Sequence, residues 1–152
     1  MLKKILIILV TVNFLQSCGF APMYSTGKFT KINIENISLS GDWELGNYIK
    51  ASLSRYSSNT DSKKYNIDIN SNYTENVISR DSTGTPTNYK FNIEVEINLT
   101  SENINQNYLF KESFIMENFA DKLTKQNYER SNKINIANII INKFMIQFSR
   151  AE

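Results

Sequence analysis

The sequence predicts an α+β fold: a two-layer sandwich whose four-stranded mixed sheet carries two helices on one face, in the order β-α-β-β-β-α. Three observations predict it. Two long stretches, Tyr65–Tyr73 and Tyr89–Leu99, alternate apolar and polar residues, the period of strands buried on one side. Two others, Leu45–Tyr56 and Ile134–Phe148, place apolar residues three and four apart, the period of a helix with one buried stripe. The second face of the strands is polar almost throughout, so both helices must cover the same apolar face.

Lys31–Ser38 alternates, with Ile32 and Ile34 on one face and Lys31, Asn33 and Glu35 on the other, a first strand. Ser40-Gly41-Asp42 then offers helix N-cap chemistry. A short polar side chain there accepts from the free N–H groups of the first turn, and Glu44 stands where the helix dipole favours an acid. Leu45, Tyr48, Ile49, Leu53 and Tyr56 form the stripe of a helix of about 14 residues, ended by the polar Ser57–Lys63.

Tyr65, Ile67, Ile69 and Tyr73 alternate with Asn66, Asp68, Asn70 and Asn72; Tyr89 through Leu99 alternates with Lys90, Asn92, Glu94, Glu96 and Asn98. Between them Arg80–Pro86, with Asp81, Gly84 and Pro86, supplies turn chemistry, so the two strands form a hairpin. A second turn near 103–107 leads into Tyr108, Phe110, Phe114 and Met116, a fourth strand. Glu112 falls on its apolar face, which marks a bulge, an edge or a shifted register. From about Asp121 the period is helical again: Ile134, Ala137, Ile141, Phe144 and Phe148, widened by Ile140 and Met145. Its polar first turns, Lys122–Lys133, are expected to stand clear of the core. Strands two to four are expected antiparallel, and the first parallel to one neighbour.

The 152 residues are 41% hydrophobic and 12% aromatic, enough for one compact core. Lys3 and Lys4 account for the formal charge of +2; beyond residue 17 basic and acidic side chains balance at 15 each. That balance excludes the basic surface of a nucleic-acid binder. There is no histidine, which removes the commonest general base and metal ligand, and one cysteine, which excludes an internal disulfide. Glu94 and Glu96 share the polar face of one strand, where carboxylates are ordinarily solvated, and no Gly-rich phosphate loop is present. The expectation is a chain that is not an enzyme, with no metal and no cofactor.

The N-terminus is more specific. Lys3 and Lys4 form a positive region, and Ile5–Leu15 an apolar run of about 11 residues, too short for a spanning helix of roughly 20. It ends in Leu15-Gln16-Ser17-Cys18. This resembles the lipobox of bacterial lipoproteins: an aliphatic residue, a small residue before the cut, then a thiol able to take a diacylglycerol thioether. Residues 1–17 therefore read as a signal peptide and Cys18 as the lipidated residue, with 18–28 as a Pro- and Gly-containing tether and 29–152 as one domain. Two or three acyl chains anchor stably, at about 0.8 kcal/mol for each buried methylene. Gly19 follows the anchor in place of the aspartate that commonly retains lipoproteins in the inner membrane, so the outer membrane, facing the periplasm, is expected.

With these features together, the chain resembles the LptE family of outer-membrane lipopolysaccharide-assembly lipoproteins. Cys18-Gly19-Phe20-Ala21-Pro22-Met23-Tyr24 is similar to the Cys-Gly-Phe-x-Pro-Leu-Tyr start common in that family. The helix from Ser40-Gly41 with Leu45 and Leu53, the strand pair around Tyr89 and the long last helix fall where the family has theirs. The resemblance implies a plug inside the LptD β-barrel that helps it assemble and contacts lipopolysaccharide. It also implies a basic residue in the loop after the second strand and another early in the last helix, positions matched here by Arg80 and Lys125, with Lys90 and Lys122 nearby. Asp81, next to Arg80, is placed to neutralise the first of them. The Asn-rich strand face of Asn66, Asp68, Asn70, Asn88, Asn92 and Asn98 would meet a polar barrel lumen. The alternative is an auxiliary lipoprotein subunit of a periplasmic ABC-type lipid transporter, also a small anchored α+β domain.

Overall fold

The computed structural model describes residues 31–58 and 63–151. The expected signal peptide 1–17, Cys18 and the expected tether 18–28 lie outside the described residues. The elements are β1 (Asn33–Gly41), α1 (Trp43–Ser54), β2 (Lys64–Arg80), β3 (Pro86–Ser101), β4 (Ile104–Glu117) and α2 (Lys122–Ala151). Four strands lie in the order β1-β2-β3-β4, β1 parallel to β2 and the rest antiparallel, the mixed sheet the sequence predicts. A parallel neighbour needs a crossover, and α1 is that crossover.

The alternating positions deliver the core. Tyr65, Ile67 and Ile69 of β2 and Ile93, Val95, Ile97 and Leu99 of β3 meet Leu45, Ile49 and Leu53 of α1 and Ile140, Ile141, Phe144 and Phe148 of α2. Phe91 stacks on Phe114 directly opposite it on β4, with ring centroids 4.7 Å apart. Close packing starts at one glycine. Gly41 adopts φ +83°, and a Cβ there would lie 1.9 Å from the Ser71 carbonyl oxygen. The missing side chain lets Asp42 N–H reach that oxygen at 2.7 Å. Asp42 then caps α1, its Oδ1 accepting from Leu45 N at 2.8 Å.

Several boundaries differ from expectation. Register shifts between Ile34 and Asn36, so Ile37 and Leu39 continue the inward side of β1, while Asn33, expected on the polar face, is 7% exposed. Helix α1 is 12 residues long, and Tyr56 lies beyond it. β2 runs on to Arg80, well past the last alternating aromatic. The turn into β4 is tight, with Ser101 already opposite Ile104. Glu112 reflects neither a bulge nor a slipped register: β3 and β4 pair without a shift, and its carboxylate meets Lys143 of α2. On α2, Ile134 turns partly to solvent and Ile136 takes the buried place. Lys133, expected among the free polar turns, is 5% exposed.

Candidate functional site

Helices cover one face of the sheet; the other carries the polar half of each alternation. β2, β3 and β4 are 17, 16 and 14 residues long, so the uncovered face runs roughly 50 Å along the strands. Asn66, Asp68 and Asn70 on β2 are exposed, and Asn88, Asn92 and Asn98 on β3 are half-buried among their neighbours. Register aligns Asn72, Glu94 and Lys111 in one row across three strands and Thr74, Asn92 and Ser113 in the next. These rows line a shallow depression of about 420 Å³. Its charges are balanced in place, Lys111 Nζ lying 2.9 Å from Glu94 Oε2, and Asn107 donates to Glu96 alongside. What remains is a field of amides and hydroxyls, each both donor and acceptor, which suits a broad, wet contact.

The two sequence-predicted cations stand toward the hairpin end. Arg80 closes β2, and its Nη1 donates to the Gly84 carbonyl across the loop at 2.8 Å. Asp81 is turned to the loop backbone: it accepts from Thr83 Oγ1, Thr83 N and Thr85 N at 2.6, 2.8 and 3.0 Å. The Thr83 hydroxyl foremost, then the Thr85 amide, hold its carboxyl below the usual carboxylate range. Lys125, in the first turns of α2, has Nζ 3.5 Å from Glu75 Oε1 and 4.3 Å from the centroid of the Tyr89 ring. Arg80 and Lys125 thus share an end of the molecule but are held by different groups. Lys90 lies between Asn76 and Ile115 on the uncovered face, and Lys122 opens α2. Cys18 lies outside the described residues.

A polar cluster that sequence reasoning missed joins the two helices. Lys133 Nζ lies 2.8 Å from Glu44 Oε2, 3.7 Å from Glu129 Oε1, 4.0 Å from Asp42 Oδ2 and 4.1 Å from the centroid of the Tyr73 ring. Tyr73 donates to Glu129 at 2.8 Å, Tyr48 donates to Glu44 at 3.0 Å, and Arg130 Nε donates to Tyr48. Burial works to lower the Lys133 pKa, but the Glu44 bond and the surrounding carboxylates outweigh it and raise it above the ordinary lysine value. The available signal was its spacing: Lys133 stands three, four and seven residues before Ile136, Ala137 and Ile140, all buried.

No protein-family model matches the chain, and no curated protein matches it. Solved structures do. The rare lipoprotein B of Shewanella oneidensis superposes with a TM-score of 0.54 at 14% identity, over 76% of this chain and 98% of that one. An uncharacterized lipoprotein B from Nitrosomonas europaea gives 0.57 at 14% identity, over 82% and 88%. A minor lipoprotein from Acinetobacter baumannii gives 0.51 at 12%, over 74% and 93%. This chain shares the fold of these proteins. The first residue of β1 pairs with the first residue of β2, and the Arg80–Pro86 hairpin lies at the far end of β2. The hairpin therefore stands roughly 50 Å from that first pair. Among the described residues no helix is long and apolar enough to cross a membrane.

Proposed function

We propose that this protein is a lipid-anchored lipoprotein of the outer membrane, facing the periplasm, that plugs and helps assemble an LptD-type β-barrel and assists lipopolysaccharide insertion. The observation that carries the reading is the uncovered sheet face: four strands wide, Asn-rich, and locally charge-balanced. Large barrels have polar, water-lined interiors, and a plug needs an outer surface of this character. The core consumes most of the apolar side chains, so affinity for the barrel comes from area and enclosure. Acyl chains on Cys18 hold the domain at the inner leaflet, and the tether allows a displacement of roughly 35 Å. The fold shared with other lipoproteins supports the anchor.

On this reading the protein binds and positions, with no catalytic step and no cofactor beyond the covalent lipid. Arg80 and Lys125 offer cations to the phosphates and carboxylates of lipopolysaccharide at the hairpin end. The test is affinity purification of the tagged protein from detergent-solubilised envelopes. A stoichiometric outer-membrane barrel is the expected companion; an inner-membrane ABC-type transporter in its place would establish the auxiliary-subunit alternative instead.

A further inference from the structure

The two edges of the sheet are unlike. β1 is 9 residues long and carries a register shift between Ile34 and Asn36, the kind of kink that blunts an edge. β4, at the opposite edge, is 14 residues long and pairs with β3 in unbroken register from Glu117 to Ile104. Charges in mid-strand ordinarily deter a second strand, but those of β4 are spent within the chain. Lys111 is drawn onto Glu94 and Glu112 onto Lys143.

Away from the register shift beside Ile78, the polar face carries, among the described residues, two large exposed hydrophobic ones, Leu109 at 53% and Ile115 at 58%, both on β4. They stand three residues to either side of Glu112. We propose that the edge of β4, unpaired among the described residues, is a dimerisation seam, pairing antiparallel with β4 of a second copy of this chain about an axis at Glu112. The plug proposed above is a single copy of the chain, so the dimer is a state outside the barrel.

Residues directly opposite in an antiparallel ladder share a face. An axis at Glu112 sets Leu109 against Ile115 of the second copy and Lys111 against its Ser113 on the polar side. On the helix side it sets Phe110 against Phe114 and Tyr108 against Met116. Every large apolar residue from Tyr108 to Met116 then meets another, in an isologous contact. Moving the axis one residue to Lys111 sets lysine against lysine, Leu109 against Ser113 and Phe110 against Glu112, so the pattern selects the register. The like charges left at the centre, Glu112 facing Glu112, are each held by their own Lys143.

Sedimentation equilibrium of the full mature lipoprotein in density-matched detergent tests this, with circular dichroism to verify the fold. Both altered side chains are exposed in the single copy, so neither change touches the core. The wild type is expected to sediment with two chains per particle. Leu109→Lys/Ile115→Lys, which sets lysine against lysine twice, is expected to weaken association at least about tenfold. Leu109→Lys/Ile115→Glu, which sets lysine against glutamate twice, is expected to restore it. A wild type with one chain per particle at its highest soluble concentration would overturn the proposal, as would equal association of the two double variants.

Discussion

Lys133, 5% exposed, places its ammonium 2.8 Å from Glu44 Oε2 and thereby ties the start of α1 to the middle of α2. Lys133 is buried, but Asp42, Glu44 and Glu129 keep contact with water, which offsets part of the loss of their partner. Lys133→Ala is expected to cost about 2 kcal/mol in urea unfolding, through the lost charged hydrogen bond and packing. Lys133→Met, which keeps the apolar stem, should cost clearly less. The same cluster contributes to stability at alkaline pH. Burial first, then the bond to Glu129, pushes the Tyr73 phenol above its ordinary 10.0, and Lys133 lies above its ordinary 10.5. Both groups hold their protons more tightly folded than unfolded. Their stabilisation is complete below the unfolded values and is lost as pH rises through the raised folded ones. Glu44 runs the other way: the Lys133 bond lowers its pKa, and its contribution is lost as pH falls through that lowered value. Melting temperature should therefore decline above about pH 10, and Tyr73→Phe/Lys133→Met should flatten that limb.

Gly41 and Gly84 both adopt positive φ, at +83° and +86°, yet their surroundings differ. Nothing lies within 4 Å of a Cβ at Gly84, so Gly84→Ala should cost only the backbone strain, about 1 kcal/mol. Gly41→Ala adds a collision with the Ser71 carbonyl and should cost at least about 2 kcal/mol more. Thermal unfolding of the two variants side by side measures the difference.

Much of this fold was legible because strand and helix periods are local. Alternation at Tyr65–Ile69 and Phe91–Leu99, and three-four spacing from Ala137 to Phe148, report burial directly. What the sequence concealed depends on partners far along the chain. Lys133 looks like a surface cation until Glu44, 89 residues away, arrives beside it. Glu112 looks misplaced until Lys143 meets it. The extension of β2 through Asn76 to Arg80 has no apolar alternation to announce it; pairing with Pro86–Lys90 makes it a strand. The polar face was legible as polar, but a polar strand face reads the same whether it meets solvent or a partner.

Cys18 is the lone cysteine and follows an apolar run directly. Metabolic labelling with a radioactive fatty acid should mark the wild type, and Cys18→Ala should lose both the label and its fractionation with membranes. Label retained by the variant would refute the anchor.

Arg80 and Lys125 differ in what their removal exposes. Arg80 donates to its own hairpin loop, whereas Lys125 neutralises Glu75. Arg80→Asp/Lys125→Asp is expected to lower lipopolysaccharide affinity at least about tenfold, with circular dichroism unchanged. Unaltered affinity would relegate both to ordinary surface cations.

Asn92 lies at the centre of the uncovered face, between Thr74 and Ser113. Ile139, 43% exposed on α2, belongs to the helical layer instead. Barrel recovery from detergent-solubilised outer membranes, quantified for tagged wild type, Asn92→Arg and Ile139→Arg, tests most directly that the sheet face is what the barrel encloses. The expected result is full recovery with wild type and Ile139→Arg and a large loss with Asn92→Arg, all three chains being folded. Undiminished recovery with Asn92→Arg, or no barrel with the wild type, would contradict it.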